Sequence, residues 1–140
     1  MTPQRVTLIT LGVSDMTASV AFYERLGWQR RGTDEGVAFF QLQGAALALF
    51  GKAELAADQG RPGATLGTGA ITLAQNFGTE AEVDAAFEAA LAAGATPLKR
   101  PEKVFWGGYS GYWADPDGHV WEVAMNPFWP LAEDGRLTLP

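Results

Sequence analysis

The segment Ile9-Thr10-Leu11 recurs as Ile71-Thr72-Leu73, and each time a capped helix and a run of short strands follow. Repetition of a whole supersecondary unit constrains a fold more than any single motif, because two copies of one unit must bury equivalent faces. In the first copy, residues 5–13 are β-branched and apolar, the composition of a buried strand. Ser14-Asp15 supplies an N-cap for a helix from about Met16 to Leu26, with Met16, Val20 and Tyr23 on one face and Gly27 as the stop. Strands near residues 28–32, 36–42 and 45–50 complete a β-α-β-β-β order. In the second copy, Thr79-Glu80-Ala81-Glu82 is a capping box, and Val83, Phe87 and Leu91 recur at helical spacing before Gly94. Strands near residues 96–104 and 109–114 then lead to a last strand after Asp115-Pro116-Asp117-Gly118, a tight-turn sequence in which proline and glycine each supply one turn dihedral.

The domain plan is therefore a single domain over residues 1–140: module one at 4–50, a Gly-rich linker at 51–68 with a helical turn around 53–57, module two at 69–126, and a tail at 127–140. The fold class is α+β, with two tandem βαβββ modules forming an incompletely closed eight-stranded sheet around a cleft of the kind small ligands use. The tail carries Phe128 and Trp129 between prolines and is expected to pack across a sheet edge or cleft mouth.

On the last strand, period-2 alternation sets Val120, Glu122 and Ala124 on one face and Trp121, Val123 and Met125 on the other. A carboxylate in the middle of an apolar strand face is costly unless it is exposed, paired, protonated or bound to a metal. The same alternation on the preceding strand sends Ser110, Tyr112 and Ala114 to one side. His119 lies out of phase with Glu122 and reads as a turn residue, while Asp115 and Asp117 are committed to the turn.

Composition removes several classes of function. With Cys 0 there is no disulfide scaffold and no thiolate chemistry, and with His 1 no metal site needing two histidines of one chain. The net charge of -6 argues against nucleic acid as a partner. No apolar run approaches the roughly 20 residues that span a bilayer, and the N-terminal residues lack signal-peptide character, so a cytoplasmic location is expected. Ser110 has no histidine placed beside it to activate it.

Two passages, residues 9–28 and 113–122, resemble the vicinal oxygen chelate superfamily, which includes glyoxalase I, extradiol dioxygenases and the fosfomycin- and bleomycin-resistance proteins. The resemblance implies a homodimer, and, in the enzymes, a divalent metal held from the first and last strands of each module. Those positions fall here on Leu8 and Ala70, where His or Gln is expected, and on Ala48 and Glu122, where Glu is expected. Only Glu122 retains a ligand-type side chain, and one carboxylate makes a poor transition-metal site, so no metal and no other cofactor is expected. Similarity to the fosfomycin-resistance branch places Tyr112 towards the cavity.

The leading expectation is a metal-independent small-molecule binding protein of bleomycin-resistance type, holding an aromatic or cationic compound. Glu122 and Tyr112 are its polar contacts, Leu8, Thr10, Ala48, Ala70 and Thr72 its wall, and Trp106 and Trp129 its stacking surfaces, each good cation–π contact contributing ~0.5–2 kcal/mol. The rival is a lyase, isomerase or dioxygenase in which Glu122, its pKa raised by apolar neighbours, serves as a general base. A third alternative is a dimerising module whose cleft is filled by its own side chains.

Overall fold

A computed structural model describes all 140 residues. The element order is β1 (Leu8–Val13), α1 (Met16–Arg25), β2 (Arg30–Arg31), β3 (Val37–Gln41), β4 (Ala46–Gly51), α2 (Lys52–Asp58), β5 (Thr72–Asn76), α3 (Glu80–Ala93), β6 (Thr96–Lys103), β7 (Tyr109–Ala114) and β8 (Val120–Met125). The chain divides into two compact units, Met1–Gly67 and Thr68–Pro140. Each holds one four-stranded sheet, ordered β1-β4-β3-β2 in the first and β5-β8-β7-β6 in the second, and neither sheet is closed into a barrel. In both, the first strand runs parallel to the last and the rest of the sheet is antiparallel.

The helix ends follow the local chemistry. Asp15 Oδ1 accepts from the Ala18 amide at 3.0 Å and opens α1. Thr79 Oγ1 accepts from the Glu82 amide at 3.2 Å and donates to the Glu82 carboxylate at 2.9 Å, which opens α3. Gly94, at φ 110°, closes α3 in the left-handed conformation that glycine adopts without penalty. Each helix covers one face of its own sheet. In the first unit Phe22 and Tyr23 are fully buried, and Tyr23, Trp28 and Phe40 form a ring cluster with centroids 5.4–6.0 Å apart. In the second, Val83, Phe87 and Ala90 of α3 are buried, as are Trp113 and Trp121 of the sheet, which stack 5.6 Å apart with planes 8° from parallel.

The hairpin turn between β7 and β8 is built as its sequence demands. Asp115, 3% exposed, accepts from the amides of Asp117 and His119 through one carboxylate oxygen at 3.0 and 2.9 Å, while its backbone pairs with that of His119. Gly118 takes φ 89°. Asp117 contributes its amide to this turn.

One feature extends the sequence reading, the helical turn expected around residues 53–57, and another differs from it. The linker opens with a seven-residue helix, α2, continuous with β4; its Lys52 and Leu55 side chains lie over Gly12, where a Cβ would stand 3.2–3.3 Å from them. The repeat is also offset by two residues. Leu8 pairs with Ala46 at the hairpin end of β4, and the corresponding rung at the hairpin end of β8 pairs Val120 with Thr72, not with Ala70. Ala70 lies in the bend before β5, outside the sheet.

Strand β6 is bulged between Pro97 and Lys99 and again between Lys99 and Glu102. Gly111 accommodates the bulged backbone, for a Cβ there would stand 2.8 Å from the Pro101 nitrogen and 2.9 Å from the Lys99 carbonyl oxygen. Gly111→Ala is expected to destabilise the protein by about 1–3 kcal/mol, the usual effect of overpacking against backbone that cannot yield. Urea denaturation of the variant against wild type measures it, and a change below about 0.5 kcal/mol would show that β6 moves freely.

Candidate functional site

Which face of the second sheet meets its helix is settled by two contacts. The Tyr109 hydroxyl donates to Asp84 of α3 at 2.7 Å, and the Arg100 guanidinium reaches Glu88 at 3.1 Å while lying 5.7 Å from the Phe87 ring centroid. Alternation from Tyr109 therefore sends Gly111 and Trp113 to the α3 side and Ser110, Tyr112 and Ala114 to the other. The β7–β8 rungs Ser110–Ala124, Tyr112–Glu122 and Ala114–Val120 carry that second face across the hairpin. Parallel pairing with β5 adds Thr72, Ala74 and Asn76.

Glu122 and Tyr112 meet on this face as directly opposed cross-strand neighbours, and the Tyr112 hydroxyl donates to Glu122 Oε2 at 3.2 Å. Around them Ser110, Ala114 and Ala124 are 4%, 7% and 4% exposed, whereas the tyrosine and glutamate remain partly accessible. The phenol is held protonated: burial, then the Glu122 charge and the hydrogen bond to it, raise its pKa above the ordinary 10.0. The pair thus presents a neutral donor beside a carboxylate whose second oxygen is not engaged by Tyr112. Tyr109, on the α3 side, is pushed up to about 12, first by its hydrogen bond to Asp84.

Trp106 joins the same face. The β6–β7 ladder ends at the Lys103–Tyr109 rung, and continued alternation turns Gly108 to the side of Ser110. The six-membered ring of the Trp106 indole occupies the space that a Cβ on Gly108 would need. Phe128 from the tail packs on the neighbouring Gly107, which takes φ 95°, and in this way the tail rests on the β6–β7 turn. Trp129 follows in the same turn, its amide donating to the Asn126 carbonyl at 3.1 Å, and is 37% exposed. His119 lies in the hairpin turn, as its spacing predicts.

In the first unit the corresponding face, away from α1, carries Leu8, Thr10 and Ala48, with Thr10 and Ala48 on one rung. Leu8 is 46% exposed and Ala48 is buried. The equivalent rung of the second unit pairs Ala74 with Glu122, so Ala74 is the counterpart of Thr10, and Thr72 that of Leu8. A separate groove of about 410 Å³ runs between α1 and the loop at residues 33–36. Its Arg30 guanidinium donates to the carbonyls of Asp34 and Val37 and so holds the loop to β2.

Sequence reasoning missed Lys99 and Glu102. Lys99 is the rung partner of Tyr112 and Glu102 that of Ser110, and their side chains meet at 3.2 Å on this face. The prolines at 97 and 101 are the available signal, since proline inside a strand marks bulges, but they do not say how far the alternation slips.

Two units of one β-α-β-β-β order, each with a parallel first and last strand, define the class of paired-module folds. The chain belongs to the glyoxalase/bleomycin resistance protein/dioxygenase superfamily, whose family model matches residues 5–123. A glyoxalase-related enzyme from Fulvimarina pelagi is 40% identical, with 98% of this chain and 99% of that one aligned at a TM-score of 0.89. A glyoxalase/bleomycin resistance protein/dioxygenase from Nocardioides is 27% identical over 89% and 85% of the two chains, at 0.75. A lactoylglutathione lyase from Agrobacterium tumefaciens is 25% identical over 94% and 100%, at 0.69. No functionally curated protein matches the chain.

The metal that the superfamily resemblance implies does not fit these residues. Leu8, Ala48 and Thr72 offer no carboxylate or imidazole, and nowhere in the chain do three His, Cys, Asp or Glu side chains gather so as to hold an ion.

Because the folded-state pKa of Tyr112 exceeds that of a free tyrosine, the unfolded chain releases this proton first. Its contribution to stability is full below pH 10.0 and is lost as pH rises through the folded value. In a Tyr109→Phe background, alkaline absorbance titration is expected to place Tyr112 above 10.0, with Glu122→Gln bringing it back towards that value. Assignment comes from the difference spectrum against Tyr112→Phe. No change on Glu122→Gln would mean that the two groups are not coupled.

Proposed function

We propose that the protein is a metal-independent small-molecule binding protein of the glyoxalase/bleomycin-resistance type, acting by sequestration, and that Tyr112 and Glu122 are its polar anchors. The observation that carries this reading is the surviving carboxylate. Glu122 stands partly buried on a sheet face among small residues, bonded by one oxygen to a neutral phenol, while the companion positions hold Leu, Ala and Thr. Such a pair suits an organic cation or hydrogen-bond donor, and in this reading Trp106, which packs on Gly108 in the β6–β7 turn, is the apolar surface for it. Assembly as a homodimer belongs to the same proposal, by family resemblance.

A second reading is supported by the relatives described as enzymes, the Fulvimarina pelagi protein at 40% identity above all. Under it, Glu122 takes a proton from bound substrate while Tyr112 donates to the oxygen on which charge develops.

Native mass spectrometry and elemental analysis of one purified sample separate the two. The binding reading predicts a dimer mass without stoichiometric metal, together with an organic adduct that Glu122→Gln loses. Near-stoichiometric Zn, Ni, Mn or Fe that is lost on Glu122→Gln would overturn it and put the enzyme first.

A further inference from the structure

We infer that the Glu122 face takes a zwitterion, an amine that also bears a carboxylate, with the ammonium on Glu122 and the carboxylate on Lys99; this deepens the binding reading above and rests on it. Three strands place a cation, a phenol and a carboxylate in one row, for Lys99 is the rung partner of Tyr112 and Tyr112 that of Glu122. The register and one ion pair set the direction of the Lys99 side chain, since rung partners across an antiparallel ladder share a face. The Lys99 ammonium meets Glu102, the rung partner of Ser110, and Ser110 lies on the Glu122 face.

The two charged ends are suited to different halves of one ligand. Tyr112 occupies Glu122 Oε2 alone, and a carboxylate has acceptor sites on both oxygens, so an ammonium can add without displacing the tyrosine. Lys99 is held by Glu102 through a pair with side chains 44% and 62% exposed, the kind of surface ion pair that contributes little and yields to a competing anion. Two strand spacings separate the Lys99 and Glu122 backbones, about 10 Å, and the ring of Tyr112 lies between them. The ligand therefore spans its charges with an apolar spacer about one aromatic ring long.

Isothermal titration of the full chain with para-(aminomethyl)benzoate, para-methylbenzylamine and para-toluate tests this directly. Wild type is expected to bind the zwitterion about tenfold more tightly than the amine. Lys99→Met should bring the zwitterion down to the level of the amine and leave the amine unchanged, and Glu122→Gln should lose both. Equal binding of zwitterion and amine, unaffected by Lys99→Met but lost in Glu122→Gln, would overturn the zwitterion and leave the Glu122 anchor standing. Absence of any Glu122-dependent binding by the three probes would overturn both.

Discussion

A four-stranded sheet has two faces, and in each unit the long helix covers only one. The candidate site is on the other face in the second unit. The helix faces hold the buried aromatic clusters: Tyr23 with Phe40 in the first unit, and the stacked Trp113 and Trp121 in the second. Burial of such rings is the dominant favourable contribution in a domain of this size. In the second unit the opposite face of β5, β7 and β8 is left with Ala, Ser and Thr at most positions. A larger side chain on that face therefore stands out against low neighbours. Glu122 and Tyr112 are the two that do so on the β7–β8 hairpin.

Their pairing explains how the carboxylate is tolerated. A lone Glu on an apolar strand face needs a donor or access to water, and this one has both. The hydrogen bond joins neighbours on directly opposed strands, so the register that forms the sheet also forms the site. Slippage of β8 by one residue would carry Glu122 to the α3 side and the stacked tryptophan away from it. Fold and site are thus specified by the same rungs.

This is also why so much of the site is legible in the chain itself. Alternation is reliable where strands are regular, and on β7 and β8 it agrees with the contacts seen, Tyr109 reaching Asp84 of α3, Trp113 stacking on Trp121, and Tyr112 meeting Glu122. The Asp-Pro-Asp-Gly turn fixes the hairpin, and Asp15, Thr79 and Gly94 mark helix ends where they are found. Alternation fails where backbone irregularity intervenes. The bulges of β6 hide Lys99 and Glu102, because after each bulge the residue count no longer predicts the face. The repeat misleads for a different reason. Matching Ile71-Thr72-Leu73 to Ile9-Thr10-Leu11 aligns similar residues, but pairing with β8 runs from Thr72 to Asn76, two residues further along. Identity of side chains is local, whereas register is set by the partner strand.

The two-residue shift bears on how the second unit differs from the first. With Thr72 rather than Ala70 as the counterpart of Leu8, the equivalent rungs read Leu8–Ala46 and Thr10–Ala48 in one unit, Thr72–Val120 and Ala74–Glu122 in the other. The first unit keeps no ionisable group on these rungs and the second keeps one. A transition-metal site requires several donor side chains, and a single carboxylate cannot hold an ion by itself. What it can do is accept hydrogen bonds, with a neutral phenol beside it and a lysine one strand further on. Leu, Ala and Thr occupy the same pleat positions as the glutamate, so the two units differ on these rungs in chemistry. On the binding reading proposed above, the β6 and β7 side chains next to the carboxylate set which organic charge the face accepts.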